Sequence, residues 1–143
     1  MKRTSIVRVA LVLAFTVFLA TPIVDAQKGA RQGKGQPRYD PATEVTLGAT
    51  VEEVKQIADR RRGPGTHLVV RTDAGVLEVH VGPSSFLAAR KFSFEKGDQV
   101  LITGSKIMYG GAEALIAREI KKGDSTLVLR DEKGFPLWSG RNP

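Results

Sequence analysis

The sequence predicts an all-β domain: a five-stranded Greek-key barrel with one short helix and an extra strand at its C-terminal end. Three observations carry that expectation. Apolar and polar residues alternate with period two over several separate stretches, as half-buried strands require. Glycine-bearing turns punctuate the chain from Gly75 to Gly134. One stretch of helical character, "PSSFLAARKF" (83–92), falls after the third strand-like run and before the fourth.

Each element has its own justification. "EVTLGATVEEVKQI" (44–57) sets Val45, Leu47, Ala49 and Val51 on one face of a long strand. Val54 breaks the parity, and Gly48 is where a bulge or bend is expected. A helix over "VEEVKQIADR" competes, because Val51, Val54 and Ile57 also fit helical spacing. "THLVVRT" (66–72) and "VLEVHVG" (76–82) are β-rich runs joined by Asp73-Ala74-Gly75, the residues of a hairpin turn. In 83–92, Ser84 or Ser85 can cap a short helix that packs Phe86 and Phe92. "EKGDQVLITGSKI" (95–107) is a turn and then a strand with Val100 and Ile102 on one face. "AEALIAREIK" (112–121) reads as strand or helix. A further strand is expected over 125–130, before an apolar end at Phe135, Leu137 and Trp138. Three strands, a helix and two strands is the order of an OB-fold. Trp138 reads as a plug at the barrel end rather than as a ligand platform.

Two sets of residues also carry a resemblance. "FSFEKGDQVLITGS" looks like the fourth-strand signature of bacterial OB-fold proteins, with Lys96-Gly97-Asp98 turning into Val100, Ile102 and Gly104. "TLGATVEEV", "GTHLVVRTDAGVLEVHVGP" and "LIAREI" follow one another as they do in small exported OB-fold proteins of bacteria, which the chain resembles from 44 to 120. What the resemblance implies is a fold; its motifs are structural, not catalytic.

The N-terminus implies export. Lys2, Arg3 and Arg8 precede the apolar run Val9–Val24, and Val24-Asp25-Ala26 offers small residues where a signal peptidase reads. A signal peptide over 1–26 is expected, with an uncleaved anchor as the alternative. The run is short of the ~20 residues a spanning helix needs, and Pro22 breaks its end. Residues 27–42, rich in Gly, Gln, Lys and Pro, read as a flexible basic tail, 43–138 as the OB-fold-like domain and 139–143 as its C-terminal end. The chain's net charge is +7, yet Lys28, Arg31, Lys34 and Arg38 lie in the tail with no acid among them. From 39 onward there are 15 basic and 14 acidic residues, so the domain is nearly neutral. A nucleic-acid-binding domain is expected to carry its basic charge in the folded body. There is no cysteine, which excludes disulfides, thiol nucleophiles and Cys-rich zinc sites. A signal without disulfides points to the periplasm or to secretion.

The candidate ligand residues lie on the loops that bound the OB ligand face. "DRRRGPGTH" (59–67) puts Arg60, Arg61 and Arg62 between the first two strands. Guanidiniums offer planar forks of donors to phosphate, sulfate or carboxylate. The plainer reading is a solvated turn whose arginines pair with Asp59 or Glu52. "SKIMYGGAE" (105–113) adds Lys106 and the stacking surface of Tyr109. Single-strand binding needs several aromatics interleaved with basic residues. The folded part keeps only Phe86, Phe92, Phe94, Tyr109, Phe135 and Trp138, so nucleic acid is a weak expectation. A hairpin register with position sums of 147 sets His67 opposite His80 and Val69 opposite Glu78, leaving Leu68, Val70, Leu77 and Val79 on the apolar face. A three-residue loop would pair His80 with Leu68 instead. In the first register His67, His80 and Glu78 have the types of an imidazole–carboxylate metal site. Two exposed strand histidines without a ligand leave the same pattern, and no metal or cofactor is assigned. No nucleophile elbow, HExxH or P-loop is present.

The expectation is an exported, non-enzymatic binding protein of the bacterial envelope. Its ligand residues are Arg60, Arg61, Arg62, His67, Lys106 and Tyr109. Its partner is an anionic small molecule, an acidic glycan or an envelope protein. The alternatives are an accessory subunit docking through a sheet edge or "GFPLW", and single-stranded nucleic-acid binding.

Overall fold

The structure, a computed structural model, describes residues 37–140. The leader expected over 1–26 and the part of the tail before 37 lie outside the described residues.

Strand β1, Glu44–Ile57, pairs antiparallel through its first half with β4, Gln99–Tyr109, and through its second with β2, Gly65–Thr72. The register slips between Val51 and Glu53, which leaves Glu52 as an extra residue. That bulge explains Val54: one inserted residue turns it back to the core beside Val45, Leu47, Ala49 and Val51. The bulge expected at Gly48 is therefore displaced to Glu52, and Gly48 pairs regularly with Leu101. The backbone is extended through Ile57, so the helical alternative fails.

Strand β3, Gly75–Pro83, forms the hairpin with β2. Thr72 pairs with Gly75 across Asp73-Ala74, a two-residue loop, and the Thr72 hydroxyl donates to the Gly75 carbonyl at 3.0 Å. The register is the 147 one: His67 opposes His80 and Val69 opposes Glu78. Leu68, Val70 and Val79 are fully buried on the opposite face. Each such side chain contributes ~1.5–3 kcal/mol on burial, so a one-residue slip that exposed them is strongly disfavoured.

Helix α1, Ser84–Ala89, follows β3 and buries Leu87. Neither serine caps it through its side chain; the Ser84 hydroxyl bonds that of Thr66 at 2.9 Å. Strand β5, Ala112–Lys122, pairs antiparallel with β4 and parallel with β3, which closes the barrel β1-β2-β3-β5-β4. Strand β6, Ser125–Val128, adds to the free edge of β5. This closed five-stranded barrel with a helix between β3 and β4 is an OB-fold. Residues 37–42, given to the tail on composition, lie against the barrel: Tyr39 packs on Ile107, Ala114 and Ile116, and its hydroxyl bonds Glu44. Among the described residues no helix is long and apolar enough to cross a membrane.

Candidate functional site

The arginine loop is shaped by its own aspartate. Asp59 Oδ1 accepts from the backbone N–H of Arg61 at 2.8 Å and of Arg62 at 3.3 Å, and Gly63 takes a left-handed φ of 75°. Asp59 is thereby spent on backbone, and Glu52 is taken by Arg71 at 2.6 Å. The pairing expected for a merely solvated turn does not form. Arg60, Arg61 and Arg62 are exposed, and among the described residues none of them has a carboxylate partner.

Arg60 and Arg62 form one wall of a surface pocket of about 450 Å³, within the ~300–1,000 Å³ range of ligand sites. His67 from β2, His80 from β3, Tyr109 from the end of β4, and Arg130 and Trp138 from the C-terminal segment also line it. The β2–β3 outer face and its two flanking loops are where OB-folds present their ligand surface. Of the six residues expected from sequence, the pocket thus gathers Arg60, Arg62, His67 and Tyr109. Arg61 does not line it. Lys106 does not either: β4 stays extended to Tyr109, so residues 106 and 109 point to opposite faces, and Lys106 pairs with Glu113 at 3.3 Å.

Among the pocket residues outside the expected set, His80, Arg130 and Trp138 carry the chemistry. His80 belongs to the possible metal trio of the sequence but not to the expected ligand residues. Arg130 follows β6 and is half-buried; its Nε donates to the Ala117 carbonyl at 3.2 Å and its Nη1 to the Gly134 carbonyl at 3.3 Å. Burial draws its pKa below the ordinary arginine value, and no carboxylate pairs with it among the described residues. Its guanidinium lies 4.9 Å from the Trp138 ring centre. Trp138 sits over Gly82, where a Cβ would come within 2.8 Å of the indole, and meets Phe86 edge-on at 5.4 Å. It is a pocket wall as well as a packing residue, not solely a barrel plug. A lone Arg after a strand and a Trp in a short apolar tail carry no local signal of this convergence.

The two histidines line the pocket side by side. Their rings stack with centres 4.0 Å apart, and Tyr109 stands edge-on to His80 at 4.4 Å. His67 Nδ1 lies 2.8 Å from Glu78 Oε1, and Lys55 Nζ lies 3.8 Å from Glu78 Oε2. The side chains of His67 and His80 are 14% and 16% exposed, so they are not the exposed strand histidines expected. Stacking and the Tyr109 ring cover them. The hydrogen bond from His67 holds the Glu78 carboxyl below the ordinary range. Burial pushes His80 down to about 4, with the neighbouring His67 and Arg130 acting the same way. His80 Nε2 is buried without a hydrogen-bond partner. His67, Glu78 and His80 each offer a metal-ligand atom, all within 4.8 Å of one another.

With this geometry in place, the comparisons with known proteins are these. Residues 43–127 match the model of the MamS/MamX magnetosome protein family. No curated protein matches the chain. Among solved structures, it is similar to the second OB-fold domain of replication protein A from Methanococcus maripaludis, with 17% identity, a TM-score of 0.41 and coverage of 57% of this chain and 85% of that one. It is similar also to the mitochondrial single-stranded DNA binding protein Rim1 from S. cerevisiae, with 8% identity, a TM-score of 0.44 and coverage of 60% of this chain and 96% of that one.

Proposed function

We propose a function for a chain that belongs to the MamS/MamX magnetosome protein family: it is an exported, non-enzymatic binding protein that takes a small anionic ligand into the pocket between the arginine loop and the β2–β3 face. The observation that carries the reading is Arg130. A half-buried guanidinium with two carbonyl acceptors and no carboxylate keeps donors and charge for something else. Arg60 and Arg62 face the same space and supply further forks. The basic segment before residue 39 adds long-range attraction that salt weakens. The leader-like N-terminus supports delivery to the periplasm or beyond.

Calorimetric titration with inorganic phosphate and with citrate tests this. Binding of at least one of them is expected. It weakens as sodium chloride is raised, and Arg130→Met lowers affinity at least tenfold, as loss of a buried charge-assisted bond does. Unchanged affinity in Arg130→Met would sink the proposal.

A second reading rests on a different observation. Phe135 and Leu137 are 51% and 43% exposed on one short C-terminal segment, as a docking contact for a larger envelope protein would be. Its mark is a complex recovered from cells that survives high salt. Nucleic-acid binding draws less support, because Tyr109 is the single aromatic of the β2–β3 face loops expected to stack, where single-strand binding uses several interleaved with basic residues.

A further inference from the structure

We propose that His67, Glu78 and His80 form a binding site for one divalent first-row transition-metal ion on the β2–β3 face, where the two histidines also line the pocket. The proposal goes beyond anion binding and does not depend on it.

The donor set decides the class of ion. Two imidazoles and a carboxylate suit the borderline first-row metals, whereas Ca²⁺ and Mg²⁺ require all-oxygen shells. The placement is built into the fold. The two-residue turn fixes the register that sets His67 opposite His80, and Glu78, two residues before His80 on β3, projects on the same face. Donors bonded at ~2.0–2.2 Å to a shared ion stand at most about 4.2 Å apart. The observed donors lie within 4.8 Å, so side-chain rotation of several tenths of an ångström brings them together.

Two further observations point to a ligand. His80 Nε2 is buried with no hydrogen-bond partner, although buried polar atoms in folded proteins are nearly always satisfied. It lies 4.0 Å from Glu78 Oε1, too far for a hydrogen bond but suited to a shared ion. Glu78 is also held from its other oxygen, where Lys55 Nζ stands 3.8 Å from Oε2. Such an outer contact orients a ligating carboxylate, and Oε1, which lies 2.8 Å from His67 Nδ1, would exchange that hydrogen bond for the metal, the ion taking the place of the shared proton. Lys55 and Arg130 add positive charge that a bound cation must meet, and three protein ligands leave coordination positions open. Arg60, Arg62 and Arg130 line the same pocket as the two histidines.

The test is a Co²⁺ titration of the full chain in buffer free of phosphate and carboxylates, so that its outcome is separate from that of the anion reading. The expected result is saturable uptake of one Co²⁺ per chain with a visible ligand-field band. Zn²⁺ displaces it and excess Ca²⁺ or Mg²⁺ does not. His67→Gln and His80→Gln each weaken uptake at least tenfold. Because those variants change a packed pair, the unaltered chain supplies a second readout. It has only two histidines, and both sets of imidazole proton resonances must shift or broaden with Co²⁺ in step with the visible band. Absence of saturable uptake, uptake that both variants retain, or saturation with either histidine unaffected overturns the proposal.

Discussion

Glu44 shows how single residues tie the chain's start to its barrel. Arg118 donates to it through Nε at 2.7 Å and Nη2 at 2.9 Å, and the Tyr39 hydroxyl bonds the same carboxylate. The Arg118 hydrogen bond holds the Glu44 carboxyl below its ordinary value of 4.5. Burial, then Glu44, pushes the Tyr39 hydroxyl up to about 12. A carboxylate whose pKa is lower folded than unfolded contributes stability that is complete above about 4.5 and is lost as pH falls through the folded value. Glu44→Gln is therefore expected to cost about 1–2 kcal/mol near neutral pH, a figure already reduced for partial exposure. The difference from the unaltered chain shrinks as the medium is acidified toward pH ~3. Urea unfolding at the two pH values measures both. At this scale the sequence was only partly legible. His67 opposite His80 follows from turn length and alternation, which are local. Tyr39 against Gly134, where a Cβ would come within 2.9 Å of three Tyr39 atoms, joins segments 95 positions apart and leaves no periodic trace.

Elements are more legible in the sequence than single residues, and where the structure departs from the pattern the cause is physical. Alternation over 44–57 marks a strand, but a bulge adds one residue without changing composition, so Glu52 could not be told from Gly48. Segment 112–121 reads equally as helix or strand because it is buried on both sides: Ala114, Leu115, Ile116 and Ala117 are all inside, under barrel on one face and under Tyr39 on the other. The turn after β4 is shorter than the loop expected, since Gly110-Gly111 alone reverses the chain, and that moved Lys106 off the ligand face. The C-terminal segment acts as an element of the pocket. Trp138→Ala removes the ring between Phe86 and Arg130 and opens the wall over Gly82. Because Trp138 is only partly buried, the expected cost is about 2 kcal/mol, below the ~3–5 of a fully buried aromatic. Thermal unfolding reads the cost, and citrate calorimetry is expected to show weakened binding.

At the scale of the whole molecule, a closed barrel brings distant chain positions to one mouth. Parallel pairing of β3 with β5 sets the histidine pair beside Ile116. The β1–β2 loop and the segment after β6 also meet there, so that Arg62 and Arg130 line the same pocket. The family match ends at 127, so Arg130 and Trp138 belong to the part of the pocket supplied beyond the matched segment. The near-neutral domain and the basic segment ahead of it divide the electrostatics: long-range attraction from one, a local cluster of forks from the other. Fold class was legible because strand order and alternation are properties of sequence. The pocket was half legible, because loop placement predicts which residues flank the ligand face but not which later segment folds over it. The most direct test of the proposed anion binding is an amide NMR titration of the full chain with citrate. Shifts are expected to gather at 59–67, at 80–82 and at Tyr109, Arg130 and Trp138. Shifts confined to the Lys106–Glu113 surface, or no shift with citrate or phosphate, would contradict it.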